Sequence, residues 1–179
     1  MINEKEELWY QRTFDVPSAW RGKQILLHFG AVDWKAEVWV NDVKVGEHTG
    51  GFTPFYFDIT SVLNKGNNDL VVKVWDPSDR GEQPRGKQIA NPHGIWYTPV
   101  TGIWQTVWLE PVATQYITNL KTTPDIDNNS VKVEVAANTT SADKVEVKVF
   151  DGKNLVAKGA ALNGVPVELA MPANAKLLS

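Results

Sequence analysis

Short runs in which apolar and polar residues alternate one for one constrain the fold of this chain more than any other feature. Leu8, Tyr10, Phe14 and Val16 alternate with Trp9, Gln11, Thr13 and Asp15. Ala36, Val38 and Val40 do so with Lys35, Glu37 and Trp39, and Leu70, Val72 and Val74 with Val71, Lys73 and Trp75. A period of two sends successive side chains to opposite faces, as a half-buried strand requires and a helix does not. Turn chemistry separates the runs: Asn41-Asp42 closes one, and Lys65-Gly66-Asn67-Asn68 introduces another. No stretch sustains a helical period. Many short strands at regular spacing predict an all-β chain whose first part is a jelly-roll β-sandwich.

A change of composition divides the chain. All eight Trp precede residue 110 and five of the six Phe precede residue 58, whereas Tyr116 and Phe150 are the only aromatics after Pro111. The boundary is placed between Glu110 and Thr114, giving domains 1–111 and 112–179. In the second, Val131-Lys132-Val133-Glu134-Val135 and Val145-Glu146-Val147-Lys148-Val149 alternate cleanly, and Asp151-Gly152 turns the chain toward Leu155-Val156-Ala157. This pattern reads as an immunoglobulin-like sandwich. Such domains need about seven strands and ~100 residues, so the second sandwich is predicted to be incomplete, with an unpaired edge or disorder near Met171 to Ser179.

Several function classes are excluded. With no cysteine, neither disulfides nor thiolate chemistry are possible. A net charge of −3 with interspersed signs is no footprint for nucleic acid or a membrane surface. The first seven residues lack the apolar run of a signal peptide, and no segment approaches a transmembrane span. A soluble protein is expected, with bacterial cytoplasm and periplasm both open. His28, His48 and His93 stand singly, so neither a metal nor another cofactor is expected. Gly-x-Ser-x-Gly and phosphate-cradling glycine loops are missing.

The densest chemistry lies between Pro77 and Trp108. From Trp96 to Trp108 the chain carries four aromatics, Trp96, Tyr97, Trp104 and Trp108, with Trp104, Thr106 and Trp108 expected on one strand face. Trp buries a large area and still needs a partner for its N–H. Such a density builds either a packed β core or a flat surface for a sugar's C–H face, and both readings stay open. Before it, Pro77 to Gly102 has no strand period but holds Asp79, Arg80, Gln83, Arg85, Lys87, Gln88, Asn91 and His93. Structureless loops of this length in compact domains tend to be functional. Arg and Lys suit a uronate carboxylate, while Asn and Gln suit hydroxyls. Asp33 follows an apolar run and is either a turn-capping residue or a buried acid with a raised pKa. Asp58 is expected to form a turn.

Several of these stretches resemble a known family. Phe29-Gly30-Ala31-Val32-Asp33-Trp34, Val38-Trp39-Val40-Asn41-Asp42, Gly46-Glu47-His48-Thr49-Gly50-Gly51-Phe52-Thr53-Pro54-Phe55, Phe57-Asp58-Ile59-Thr60 and Thr101-Gly102-Ile103-Trp104 run in order from Trp9 to Pro111. Together they resemble the N-terminal sugar-binding domain of family 2 glycoside hydrolases, which include β-galactosidases, β-glucuronidases and β-mannosidases. The resemblance implies a jelly roll followed by an immunoglobulin-like domain. It also implies a partner, the catalytic (β/α)₈ barrel of the same full-length chain, over whose sugar pocket loops of this domain lean. Carried to this loop, it makes Arg85, Lys87, Gln88, Asn91, His93, Trp96 and Tyr97 the candidate sugar-binding residues. Retaining glycosidases need two carboxyl groups ~5–5.5 Å apart, in this family glutamates on the barrel, the acid/base following an Asn. The only Asn-Glu here is Asn3-Glu4, before the sandwich, and no βα units exist to form a barrel. The expected role is a non-catalytic region of a β-galactosidase-like enzyme, cut within its second domain. The alternative is a stand-alone carbohydrate-binding module.

Overall fold

The computed structural model describes residues 5–172. The chain forms two compact units that divide between Val112 and Ala113.

Among its described residues the first unit has nine strands: β1 (Glu7–Asp15), β2 (Gln24–Phe29), β3 (Val32–Asp33), β4 (Lys35–Val40), β5 (Val43–Thr49), β6 (Phe55–Asp58), β7 (Asn67–Trp75), β8 (Gly102–Ile103) and β9 (Val107–Val112). A four-stranded sheet in the order β1-β7-β4-β5 faces a three-stranded sheet in the order β6-β2-β9, and β3 pairs with β8. All these pairings are antiparallel. The alternation read from the sequence is the burial pattern found in β4 and at the end of β7, whereas in β1 Tyr10, read as inward, stays exposed. Ala36, Val38, Val40, Val72 and Val74 are fully buried and meet Ile25, Leu27 and Phe29 of the opposite sheet. Burying each of the larger of these side chains contributes about 1.5–3 kcal/mol.

Two asparagines do more than turn the chain. Asn41 and Asp42 join β4 to β5 with φ of 50° and 65°, the conformation of a type I′ hairpin turn. Asn41 also donates from Nδ2 to the Val62 carbonyl and to Asn68 Oδ1, each at 2.8 Å. Its Oδ1 accepts the Asp69 N–H at 2.9 Å. Asn68 is buried, and its amide is satisfied by the Gly66 carbonyl and the Asn64 N–H, both at 2.7 Å. Such a buried polar network stabilises only when every member is paired, and this one ties the β4–β5 turn and the β6–β7 connection to the start of β7. Asp58 forms the expected turn, its Oδ1 accepting the Thr60 N–H at 2.9 Å.

The stretch from Trp96 to Trp108 departs from the expectation of one strand face. Gly102 has φ +117°, and a Cβ there would lie 2.1 Å from Tyr10 Oη. After β8 the chain bends: Gly30 N–H donates to the Thr106 carbonyl at 2.9 Å and Gln105 N–H to the Ala31 carbonyl at 3.4 Å. Strand β9 starts only at Val107, so Trp108 lies on it while Trp104 and Thr106 belong to the bend. The periodicity failed here because a backbone crossing interrupts it.

The second unit has β10 (Ile117–Asp125), β11 (Ser130–Ala137), β12 (Lys144–Asp151), β13 (Asn154–Leu162) and β14 (Val167–Ala170). Its sheets run β10-β11-β14 and β12-β13. Val133, Val135, Val167 and Leu169 form its buried apolar positions. Among the described residues β14 pairs only with β11 and leaves its other edge unpaired. The part of that expectation that concerned residues 173–179 lies outside the described residues.

Candidate functional site

No strand occurs between Trp75 and Gly102, and the intervening loop is built on its own hydrogen bonds. Asp76, only 4 % exposed, ties its two feet together. One carboxylate oxygen accepts the Ser78 N–H at 2.7 Å and the other accepts the Thr101 hydroxyl at 2.7 Å. Further along, Asp79 Oδ2 accepts the Ala90 N–H at 3.0 Å, and Arg85 Nη1 donates to the Asp79 carbonyl at 2.7 Å. Gln83 Nε2 donates to the carbonyls of Ser78 and Arg80, at 2.9 and 3.0 Å. Gln88 Oε1 accepts the Val100 N–H. A short parallel bridge adds Tyr97 N–H to the Lys87 carbonyl at 2.8 Å and Ile89 N–H to the Tyr97 carbonyl at 3.1 Å.

These bonds sort the seven candidate residues. Arg85 and Gln88 are half-buried and spend side-chain groups on the loop's own backbone. Trp96 is half-buried, and its N–H on the main chain donates to the His93 carbonyl at 3.0 Å. Lys87, Asn91, His93 and Tyr97 are exposed. His93 Nδ1 lies 2.8 Å from the Asn91 carbonyl; a carbonyl only accepts, so Nδ1 carries the proton and a neutral ring presents Nε2 as an acceptor. The tip thus offers an ammonium, an amide, an imidazole and a phenol.

Beneath the loop lies Asp33, 8 % exposed, on β3 beside Gly102 of β8. The capping role considered for it is not found: no backbone N–H of the described residues bonds to its carboxylate, and Asp76 caps the neighbouring turn instead. Burial first, and the Asp76 charge second, raise the Asp33 pKa from 3.8 to about 6. Gly51 packs so closely that a Cβ there would lie 2.4 Å from Asp33 Oδ1.

Trp104 and Phe52 sit at the same end of the sandwich. Trp104 Nε1 donates to the Gly51 carbonyl at 2.8 Å, and its ring meets Phe52 edge-on at 5.9 Å. Both rings stay about half exposed, at 45 % and 53 %. The sequence reading did not single out Phe52; the signal available was Gly50-Gly51-Phe52, a pair of glycines ahead of an exposed aromatic. On the outer face of the four-stranded sheet, Trp9 stacks on Trp39 at 5.8 Å, and the ammoniums of Lys73 and Lys44 stand 5.7 Å over the two rings. Protein groups already meet the faces of these rings, where a sugar would stack.

An apolar cleft of about 660 Å³ opens between β1 and β9 and reaches Phe29 and Val72. Tyr10, Gln11, Arg12 and Trp108 line it beside the apolar residues. Among the described residues no three His, Cys, Asp or Glu side chains converge as metal ligands.

The sequence profile of the glycosyl hydrolases family 2 sugar binding domain matches residues 1–110. This chain belongs to family 2 of the glycosyl hydrolases. A β-galactosidase from Thermoanaerobacter pseudethanolicus is 35% identical over 149 residues, which cover 82% of this family 2 chain and 19% of that protein. Human β-glucuronidase is 26% identical over 181 residues, covering 88% of this chain and 28% of its own. Among solved structures, the β-glucuronidase from Ruminococcus gnavus in complex with a C6-substituted uronic isofagomine superposes with a TM-score of 0.74 and 26% identity. That match covers 96% of this chain and 30% of the other. The family 2 chain spans less than a third of the length of these relatives. No helix among its described residues is long and apolar enough to cross a membrane.

Proposed function

We propose that residues 1–111 form a non-catalytic sugar-access domain of a retaining β-glycosidase, and that residues 112–179 begin its immunoglobulin-like neighbour. The loop from Asp76 to Thr101 leans over a catalytic barrel elsewhere in the full-length protein and completes its sugar pocket. The observation that carries this reading is the division of labour in the loop. Asp76, Asp79, Gln83, Arg85 and Gln88 fix its shape from within, and the tip from Lys87 to Tyr97 presents unspent hydrogen-bonding groups. In this assignment Asn91, His93 and Tyr97 read sugar hydroxyls, Trp96 gives the tip its apolar wall, and Lys87 is the cation nearest to them in sequence. Arg85 and Gln88 hold the tip in place. The substrate class favoured is a β-galactoside, following the relative of highest identity quoted above. A β-glucuronide would draw on the Lys87 ammonium for its carboxylate.

The test uses the full-length enzyme. Replacing Asn91, His93 and Trp96 together by Ala should lower kcat/KM for an aryl β-galactoside by at least ~10-fold, equivalent to about 1.4 kcal/mol of transition-state binding. The unfolding midpoint should hardly change, because none of the three braces the loop through its side chain to another element. Unchanged kinetics would reduce the loop to a spacer. The 179-residue chain alone should hydrolyse no aryl glycoside, and clear turnover by it would overturn the non-catalytic assignment.

A further inference from the structure

The exposed tryptophans of the first unit differ in what covers their ring faces. Trp9 lies against Trp39 with the Lys73 ammonium over it, and Trp108 stacks on His28 at 4.8 Å. Trp104 is open. Among the described residues no ring stacks face to face with it and no cation stands over it; its ring neighbour, Phe52, meets it at 69°. The indole N–H, its only hydrogen-bonding group, is spent on the Gly51 carbonyl at 2.8 Å. What Trp104 shows to solvent is therefore the apolar part of a ring already held in place.

The turn that carries Phe52 is tied on both sides. Gly50 N–H donates to the Trp34 carbonyl at 3.1 Å, and His48 Nε2 meets Thr53 Oγ1 at 3.1 Å. Through Gly51 the pair adjoins Asp33, which lies opposite Gly102 at the foot of the long loop. Two braced rings side by side, each about half exposed, are a patch rather than scattered surface residues, and such patches mark contact sites. A pyranose has the matching chemistry, with C–H groups on one face and hydroxyls around its edge. Gln105 and Thr106, next to Trp104 in the chain, are exposed, and their side chains make no hydrogen bond among the described residues. They supply an amide and a hydroxyl for that edge. We propose that Phe52 and Trp104 form a second sugar platform. It stacks the C–H face of a pyranose and, on the sugar-access reading above, holds the unit next to the sugar at the loop tip. Because both rings are fixed in advance, little side-chain freedom is lost when the sugar arrives.

The isotope-labelled 179-residue chain is titrated with lactose while its backbone and indole N–H resonances are followed by NMR. Sorbitol, a polyol without an apolar ring face, is the control. The result expected is a saturable shift with Kd of about 1–30 mM, shared by the Trp104 indole and the backbone of residues 50–53. Binding should be at least ~3-fold weaker in Phe52→Ala. No shift up to about 100 mM lactose, shifts that sorbitol reproduces, or shifts confined to the loop tip from Lys87 to Tyr97 would each overturn the platform. Binding of equal strength in Phe52→Ala would do the same. The wild-type titration decides the matter whether or not the variant folds. In the full-length enzyme, Phe52→Ala should lower kcat/KM for lactose at least ~3-fold more than for methyl β-galactoside, which has no second sugar. An equal loss on both would mean that the pair packs against another part of the enzyme, and overturns the assignment. A wild type that cleaves neither galactoside would fail the substrate class proposed above, while the titration still decides the platform.

Discussion

Replacing Asp33 by Asn should abolish a loss of stability that the wild type suffers as pH rises. The folded protein holds this carboxyl at about 6 against an ordinary 3.8, because burial and the Asp76 charge both penalise ionisation. Between these values the folded state binds more protons than the unfolded one, so stability falls with rising pH. At about 1.36 kcal/mol for each pH unit, the whole window is worth ~3 kcal/mol, an upper figure because rearrangement and solvent relieve part of it. Stability from this group is complete below pH 3.8, declines through pH 6 and is flat above. Urea unfolding followed by Trp fluorescence is the assay. Every Trp lies between residues 9 and 108, so the signal reports the first unit alone. Measuring wild type and Asp33→Asn from pH 4.5 to 8 isolates the one group. Other carboxylates cancel in the difference, and Glu37, held at about 2 by Lys44 and Lys73, titrates below the range. Between pH 4.5 and 7 the difference curve should move by up to about 2 kcal/mol in favour of the variant. A flat difference, or one of opposite sign, would refute the reasoning from burial.

Gly102→Ala should destabilise the first unit by roughly 2–4 kcal/mol in the same urea assay, since its φ of +117° disfavours any side chain and the new Cβ would strike Tyr10 Oη. Thr101→Val removes one of the two bonds by which Asp76 closes the loop. It should cost about 1–2 kcal/mol and speed tryptic cleavage after Arg80, Arg85 or Lys87, and an unaltered cleavage rate would show that the tie is dispensable. Glu37→Gln breaks the bonds to Lys44 and Lys73 that hold Glu37 low. The wild type should lose this stabilisation as pH falls from 4.5 toward 2, whereas the variant should show a shallower acid limb.

What could be read from the sequence was whatever depends on neighbours along the chain. The inward set Ala36, Val38, Val40, Val72 and Val74 follows from a period of two, and the β4–β5 hairpin follows from Asn41-Asp42. Both are local geometry. The long loop was legible as a loop for the same reason, since its prolines and glycines forbid a ladder. Tertiary partnerships were not legible. Asp76 reaches Thr101 across 25 positions, and nothing near either residue announces the bond. The same holds for Asp33, whose environment is made by Gly51 and Asp76 from other segments. The bend after Gly102 was hidden too, because Trp104, Thr106 and Trp108 keep a strand's spacing while the backbone between them crosses to Gly30 and Ala31.

By residue type, Arg85 and Gln88 are among the best sugar readers in the loop, yet both are engaged within it, to the Asp79 carbonyl and the Val100 N–H. A flexible loop of this length pays little extra closure entropy for each added residue, but an unbraced tip would lose several side chains' freedom on meeting a sugar. Bracing removes part of that loss before the ligand arrives. A loop that displays Asn91, His93 and Tyr97 therefore needs good hydrogen-bonding side chains at its waist, and these are no longer free to read a ligand. On that argument Arg85→Ala and Asn91→Ala should differ in kind in the full-length enzyme. The first should weaken every substrate alike and loosen the loop to trypsin. The second should change discrimination between sugars that differ at one hydroxyl, with the loop's resistance intact. Equal effects of the two variants on discrimination would mean that Arg85 leaves Asp79 when substrate binds.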